Sequence, residues 1–207
     1  MKHFFEMSDL GYLCSYLGIE VVQKEAYITL PQRTYALKVL DFAKMGKYNP
    51  VQGTSVNSTY FRHLIGSLRY LTHTRLDLTY FVGFLSRFIE HPTEHLMAIK
   101  HVLRYLKGII YYGLVYEKGH TIGLVYEKGH TMAELIGYSD NDFVGDVQDR
   151  KSTSGQVFFF GKMAISWASQ KQKSIALSSC EAEYIVATTA ACQGVWLNLQ
   201  VYEASYG

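Results

Sequence analysis

Several features are scarce in this chain, and each scarcity excludes something. Only three cysteines, Cys14, Cys180 and Cys192, occur in 207 residues. They are too few and too scattered for a disulfide framework or a zinc site, so an intracellular, reducing setting is expected. Prolines number three and charged residues make up 18%, which excludes the composition of a disordered chain. No apolar run approaches the ~18 residues needed to cross a bilayer, so no membrane partner is expected. The start carries Glu6 and Asp9 where a secretory signal needs an unbroken apolar stretch. Without a targeting signal, cytoplasm and nucleus both stay open. A Gly-rich phosphate loop is missing as well.

What is present is a core-forming composition, 48% apolar and 14% aromatic, at a length that suits one or two domains. Charge is uneven. Residues 1–112 hold 13 Lys/Arg and 8 Asp/Glu, whereas residues 113–207 hold 7 and 10. A basic part beside an acidic part is compatible with a nucleic-acid surface next to a metal site, and chance also produces it.

Along the chain, Leu17 to Val22 and Tyr27 to Leu30 read as short strands around a turn. Helical spacing follows from Gln32 to Met45, then a loop from Gly46 to Ser58. Residues 59–89 are predicted helical, with one stripe of Phe61, Leu64, Ile65, Leu68 and Leu71 and a second of Leu78, Phe81, Val82, Leu85 and Phe88. Pro92 opens another helix that stops near Gly108. Gly113 to Thr121 then returns unchanged as Gly123 to Thr131. Two copies of a ten-residue period are not a solenoid, and they read as a tandem duplication that lengthens a hairpin. The remainder reads as an α/β unit: strands at Glu134 to Asp140, Gly155 to Phe160 and Met163 to Ser169, then a helix from Ser178 to about Leu199. Ser178 and Glu181 fit a capping box. Ala182, Ile185/Val186, Thr189 and Trp196 are expected to form that helix's buried stripe.

Asp140 ends an apolar strand and is followed by Asn141, Asp142, Asp146 and Asp149. A carboxylate at a strand end can hold a hard cation, and Asp/Asn clusters are also ordinary turn residues. A calcium EF-hand loop fails here, because Val144 and Lys151 stand where oxygen ligands are required. Glu181 and Glu183, two apart on a helix, are about 200° apart around its axis and cannot serve one site. Glu181 is accounted for by capping. Glu183 has the small neighbours Ala187, Ala190 and Gly194, which would let it approach another element; without further context a solvated first-turn glutamate is the better explanation. His91 and His95 have metal-ligand spacing but lack the intervening metalloprotease pattern.

Taken together these residues are recognisable. Gly137-Tyr-Ser-Asp-Asn-Asp142, Gly145-Asp146, Asp149-Arg-Lys-Ser-Thr-Ser-Gly155, Ala164-Ile-Ser-Trp167 and Ala176-Leu-Ser-Ser-Cys-Glu-Ala-Glu-Tyr184 resemble the ribonuclease H region of Ty1/copia-type retrotransposon polyproteins. Phe5-Glu-Met-Ser-Asp-Leu-Gly11, Leu17-Gly-Ile-Glu-Val21, Phe61 to Thr72 and Leu103-Arg-Tyr-Leu-Lys-Gly108 resemble the end of the same polyprotein's reverse transcriptase. The resemblance covers nearly the whole chain in order.

The resemblance implies an α+β chain. Residues 1–112 would be a mostly helical, thumb- or connection-like end of a reverse transcriptase. Residues 113–207 would be a truncated ribonuclease H-like unit of three strands and one helix, with a duplicated hairpin at 113–131. The ancestral function would be RNA-templated DNA synthesis and Mg²⁺-dependent cleavage of the RNA strand of RNA–DNA hybrids. Asp140 and Glu183 match two catalytic metal ligands of that family. The later carboxylates and the polymerase Tyr-x-Asp-Asp hairpin have no counterpart between residues 1 and 207, Leu76 replaces the usual proline and Phe143 the usual tryptophan. A decayed or truncated, inactive copy is therefore expected. Two alternatives stand beside it. One is a non-catalytic binder of RNA–DNA hybrid or other nucleic acid, using Arg62, Arg69, Arg75, Arg87, Lys100, Arg104 and Lys107, whose alternative is a set of solvated helix faces. The other is a weak ribonuclease H completed by a second chain, with self-association through an uncovered sheet edge.

Overall fold

The structure is a computed structural model and describes residues 11–43, 58–90, 92, 95–117, 134–145 and 149–206. His91, Asp146, the 46–57 loop and the repeat beyond residue 117 lie outside the described residues.

Two short hairpins open the described chain. Strand β1 (Ser15–Tyr16) pairs antiparallel with β2 (Ile19–Glu20). Leu17 and Gly18, which the β-propensity pattern assigns to one strand, are instead the turn between them. Their φ values of 48° and 78° are the left-handed values that a two-residue hairpin turn requires. β3 (Val22–Gln23) and β4 (Tyr27–Pro31) form the next hairpin. β4 then pairs with β5 (Gly113–Glu117) in the register Tyr27↔Glu117 to Pro31↔Gly113. A Cβ on Gly113 would stand 2.6 Å from the Leu30 carbonyl oxygen, so that approach requires glycine. This sheet crosses residue 112.

Four helices hold the core. α1 (Arg33–Phe42) begins where the Glu20 carboxylate, reaching from β2, accepts the Thr34 N–H at 2.7 Å. α2 (Ser58–Leu71) buries Phe61, Leu64, Ile65, Leu68 and Leu71, the stripe that its periodicity predicts. The helix expected over 59–89 is interrupted after Leu71. The Thr72 hydroxyl donates to the Arg69 carbonyl at 2.7 Å, and such local bonds compete with helix continuation. A 3₁₀ turn (Leu76–Leu78) restarts the chain into α3 (Thr79–Leu85). α4 (His95–Gly108) buries Ile99, Val102, Leu103 and Leu106. One cluster joins Ala36, Val39 and Leu40 of α1 to these stripes.

The second unit is an antiparallel meander of β6 (Leu135–Asp142), β7 (Thr153–Phe160) and β8 (Met163–Lys171), in that order. A register shift beside Phe158 and Phe159 leaves Ile165 without a ladder partner. α5 (Ser179–Tyr206) follows, running past the Leu199 end expected from sequence, and packs along β6 and onto β7. α3 packs against β8. The two units are tied by the Trp167 indole N–H, which donates to the Thr72 carbonyl at 2.9 Å, and by Arg87, which donates to the Thr153 hydroxyl at 2.7 Å.

The buried stripe of α5 is Ala182, Val186 and Leu197. Thr189 is exposed and Trp196 is 53% exposed, which corrects the stripe expected for them. The helix is apolar nearly all round, so its composition does not fix which side faces the sheet.

Candidate functional site

The site expected from sequence lies where β6 ends and α5 begins. The start of α5 is fixed by a capping box: the Ser178 hydroxyl accepts the Glu181 N–H at 3.1 Å, and the Glu181 carboxylate accepts the Leu177 N–H at 2.7 Å. Gln172, just past β8 and buried, clamps the same turn. Its Nε2 donates to the Ala182 carbonyl and to the Ser154 hydroxyl, both at 3.0 Å. Glu181 is thereby committed to the cap, and Glu183 is exposed.

The register of β6 against β7 decides where Asp140 points. Gly137 pairs with Phe158 and Asp140 pairs with Gly155. The Phe158 ring lies over Gly137, where a Cβ would stand 2.6 Å from it, and the ring also meets Gly194 of α5. Phe158 and Ser154 therefore mark the sheet face that α5 covers. Alternation along β6 puts Gly137, Ser139 and Asn141 on that face and puts Tyr138, Asp140 and Asp142 on the other. Tyr138, beside Asp140, is 59% exposed. Glu183 lies within about 20° of Gly194 around the helix axis, eleven residues earlier, so it belongs to the sheet-facing side of α5. Asp140 and Glu183 thus sit on packed elements but project from opposite sides of β6.

Asp140 is exposed, and its Oδ1 accepts the N–H of Asn141, the next residue in β6, at 2.8 Å. Asp149 instead pairs with Lys171 at 2.5 Å. Among the described residues no group of three or more His, Cys, Asp or Glu side chains could hold a metal ion. His95 lies flat on the Phe88 ring, 3.5 Å between centroids, as part of the helical packing. Cys14, Cys180 and Cys192 are free and exposed.

The basic residues proposed for nucleic acid divide into three groups. Arg62, Arg69, Arg104 and Lys107 are exposed, the first two on α2 and the others on α4. Lys100 is half-buried, and Arg87 is spent on Thr153 and on the Phe84 ring, 5.3 Å from its centroid. Arg75 is the correction. It is 4% exposed, its guanidinium bonds Asp77 through two contacts of 2.9 and 2.6 Å, and it also donates to the Ile109 carbonyl at 3.2 Å. It cannot meet a phosphate while it holds this position. Burial pushes the Asp77 carboxyl upward, but hydrogen bonds from Arg75 and Tyr105 and the charge of Arg75 outweigh it and hold Asp77 below its usual range. Sequence reasoning missed this pair; the only signal was an acid two residues after an arginine.

No helix among the described residues is long and apolar enough to cross a membrane. No family model matches the chain, and no solved structure gives a significant match. Curated relatives are plain in sequence. The Retrovirus-related Pol polyprotein from transposon RE1 of Arabidopsis thaliana is 36% identical over 208 residues, covering 93% of this chain and 13% of that protein. The Uncharacterized mitochondrial protein AtMg00810 of the same plant is 31% identical, covering 93% of this chain and 81% of its own length. The Secreted RxLR effector protein 161 of Plasmopara viticola is 41% identical over 138 residues, 66% of this chain and 89% of that protein.

An α+β fragment with this sequence is a retroelement polypeptide by descent. The chain belongs to the retrovirus-related Pol polyproteins of copia-type transposons. It spans 13% of the length of the two Arabidopsis Pol polyproteins that it matches.

Proposed function

We propose that this chain is a non-catalytic piece of a copia-type Pol polyprotein, with residues 1–112 from the end of the reverse transcriptase and 113–207 from the start of the ribonuclease H unit. The order of three antiparallel strands and a helix, with Asp140 on the first strand and Glu183 on the helix, supports the second assignment. The ancestral chemistry would be Mg²⁺-dependent removal of hybrid RNA. The observation that carries the non-catalytic reading is the register of β6. With Asp140 and Glu183 on opposite sides of that strand, the carboxylates present do not fit a shared Mg²⁺ ion, which needs its oxygens within about 2.1 Å.

Calorimetric titration of the full chain with Mg²⁺ tests this. The expected result is no saturable site, and identical traces for Asp140→Asn and Glu183→Gln. A saturable site that either substitution abolishes would overturn the proposal, because loss through either partner alone is the signature of shared coordination.

A second reading has its own support, the four exposed cations Arg62, Arg69, Arg104 and Lys107. In that reading the helical part holds RNA–DNA hybrid through phosphates without cutting it. Affinity would then fall steeply with added salt, and salt-independent binding would contradict it.

A further inference from the structure

Three buried side-chain oxygens at the contact between α5 and its sheet lack partners. On the face that α5 covers, Asn141 stands opposite Ser154, and Ser139 opposite Gln156. These four form one contiguous block, with Gln172 bonded to its Ser154 corner. The side-chain oxygens Asn141 Oδ1, Gln156 Oε1 and Gln172 Oε1 are all buried and accept no hydrogen bond. The orientation of Gln172 is fixed, since its Nε2 must donate to the Ala182 carbonyl, which can only accept. Above this block α5 offers only Ala182 and Val186 as buried residues, and neither side chain can donate.

Buried acceptors without donors are strongly disfavoured against the same groups in water. The second half of α5 has no such penalty, because Gly194 lies against the Phe158 ring and Leu197 is buried and apolar. We propose that the first half of α5 is a strap that lifts from the sheet while the second half stays seated. Lifting lets water reach Asn141, Gln156 and Gln172, breaks the Gln172 clamp and uncovers the inner face of β6. In the lifted state the first half is held only by its own hydrogen bonds and its capping box, and a helix of that length without tertiary packing opens readily, so its amides exchange.

Hydrogen exchange of the full chain tests this, read by mass spectrometry on peptides and by NMR on single amides. Among amides that are hydrogen-bonded in the helix, Val186 to Ala190 are expected to exchange at least about tenfold faster than Gln193 to Leu197. Equal or slower exchange in the first half would overturn the proposal, since a capped helix start has no other reason to open first. Gln156→Leu removes one stranded acceptor and should slow exchange in the first half alone, by about tenfold. Faster exchange there, in a variant with an unchanged far-ultraviolet spectrum, would also overturn it. Should Gln156→Leu not fold, the wild-type comparison of the two halves decides the matter by itself.

Discussion

Replacing Phe61 by alanine is expected to cost about 4 kcal/mol of folding stability and to lower the melting temperature by roughly 10 °C. Phe61 has no exposed surface, and it sits in the cluster that joins α1, α2, α3 and α4. Leu64, Leu68, Ile99 and Leu106 of the same cluster are at most 1% exposed, so the core cannot close over the space without moving a helix. The lost transfer energy and the residual cavity therefore add. A cost of that size is a large share of the ~5–15 kcal/mol that holds a domain together. Loss of circular dichroism at 222 nm on heating measures it. A change below about 1 kcal/mol would mean that the four-helix core is not packed as described.

Asp77→Asn should have the next largest effect. It keeps the shape of the side chain but leaves Arg75 charged, buried and without a counter-ion. Removing one partner of a fully buried pair costs roughly 3–5 kcal/mol. The Asp77 side chain is 36% exposed, so water compensates in part and a loss of about 2 kcal/mol is expected. Urea titration should report a lower midpoint with an unchanged slope. The pH dependence follows from the direction of the shift. Asp77 titrates lower in the folded chain than its ordinary 3.8. Its contribution is therefore complete above the unfolded value and is lost as pH falls through the folded one. The wild type should lose stability below about pH 4 more steeply than Asp77→Asn does. Parallel acid curves would show that the pair adds nothing.

Much of the helical part is legible in the sequence, because one-sided helices announce their buried face. Phe61, Leu64, Ile65, Leu68 and Leu71 repeat at helical spacing and are all buried, and Ile99, Val102, Leu103 and Leu106 do the same. Interruptions are harder to read. The turn at Leu17-Gly18 hides among β-formers, and its only signal is the glycine. The break after Leu71 rests on hydroxyl bonding at Thr72 and on the burial of Arg75, and neither follows from periodicity. On α5 the periodicity gives no unique answer, because apolar residues surround the axis; Trp196 could equally face in or out. The residue types of the candidate site are legible, but their geometry is not. Whether Asp140 and Glu183 converge depends on which face of β6 the helix covers, and the contacts of Phe158 with Gly137 and Gly194 bear on that face. No pattern within β6 alone carries that information.

Opposite projection of Asp140 and Glu183 predicts a chain that does not cut RNA. The direct measurement is cleavage of an end-labelled RNA–DNA hybrid by the full chain, with Mg²⁺ and then Mn²⁺, beside Asp140→Asn and after a cooperative melt has established folding. The account predicts intact RNA in every lane. RNA cleavage by the wild type that disappears in Asp140→Asn would contradict it.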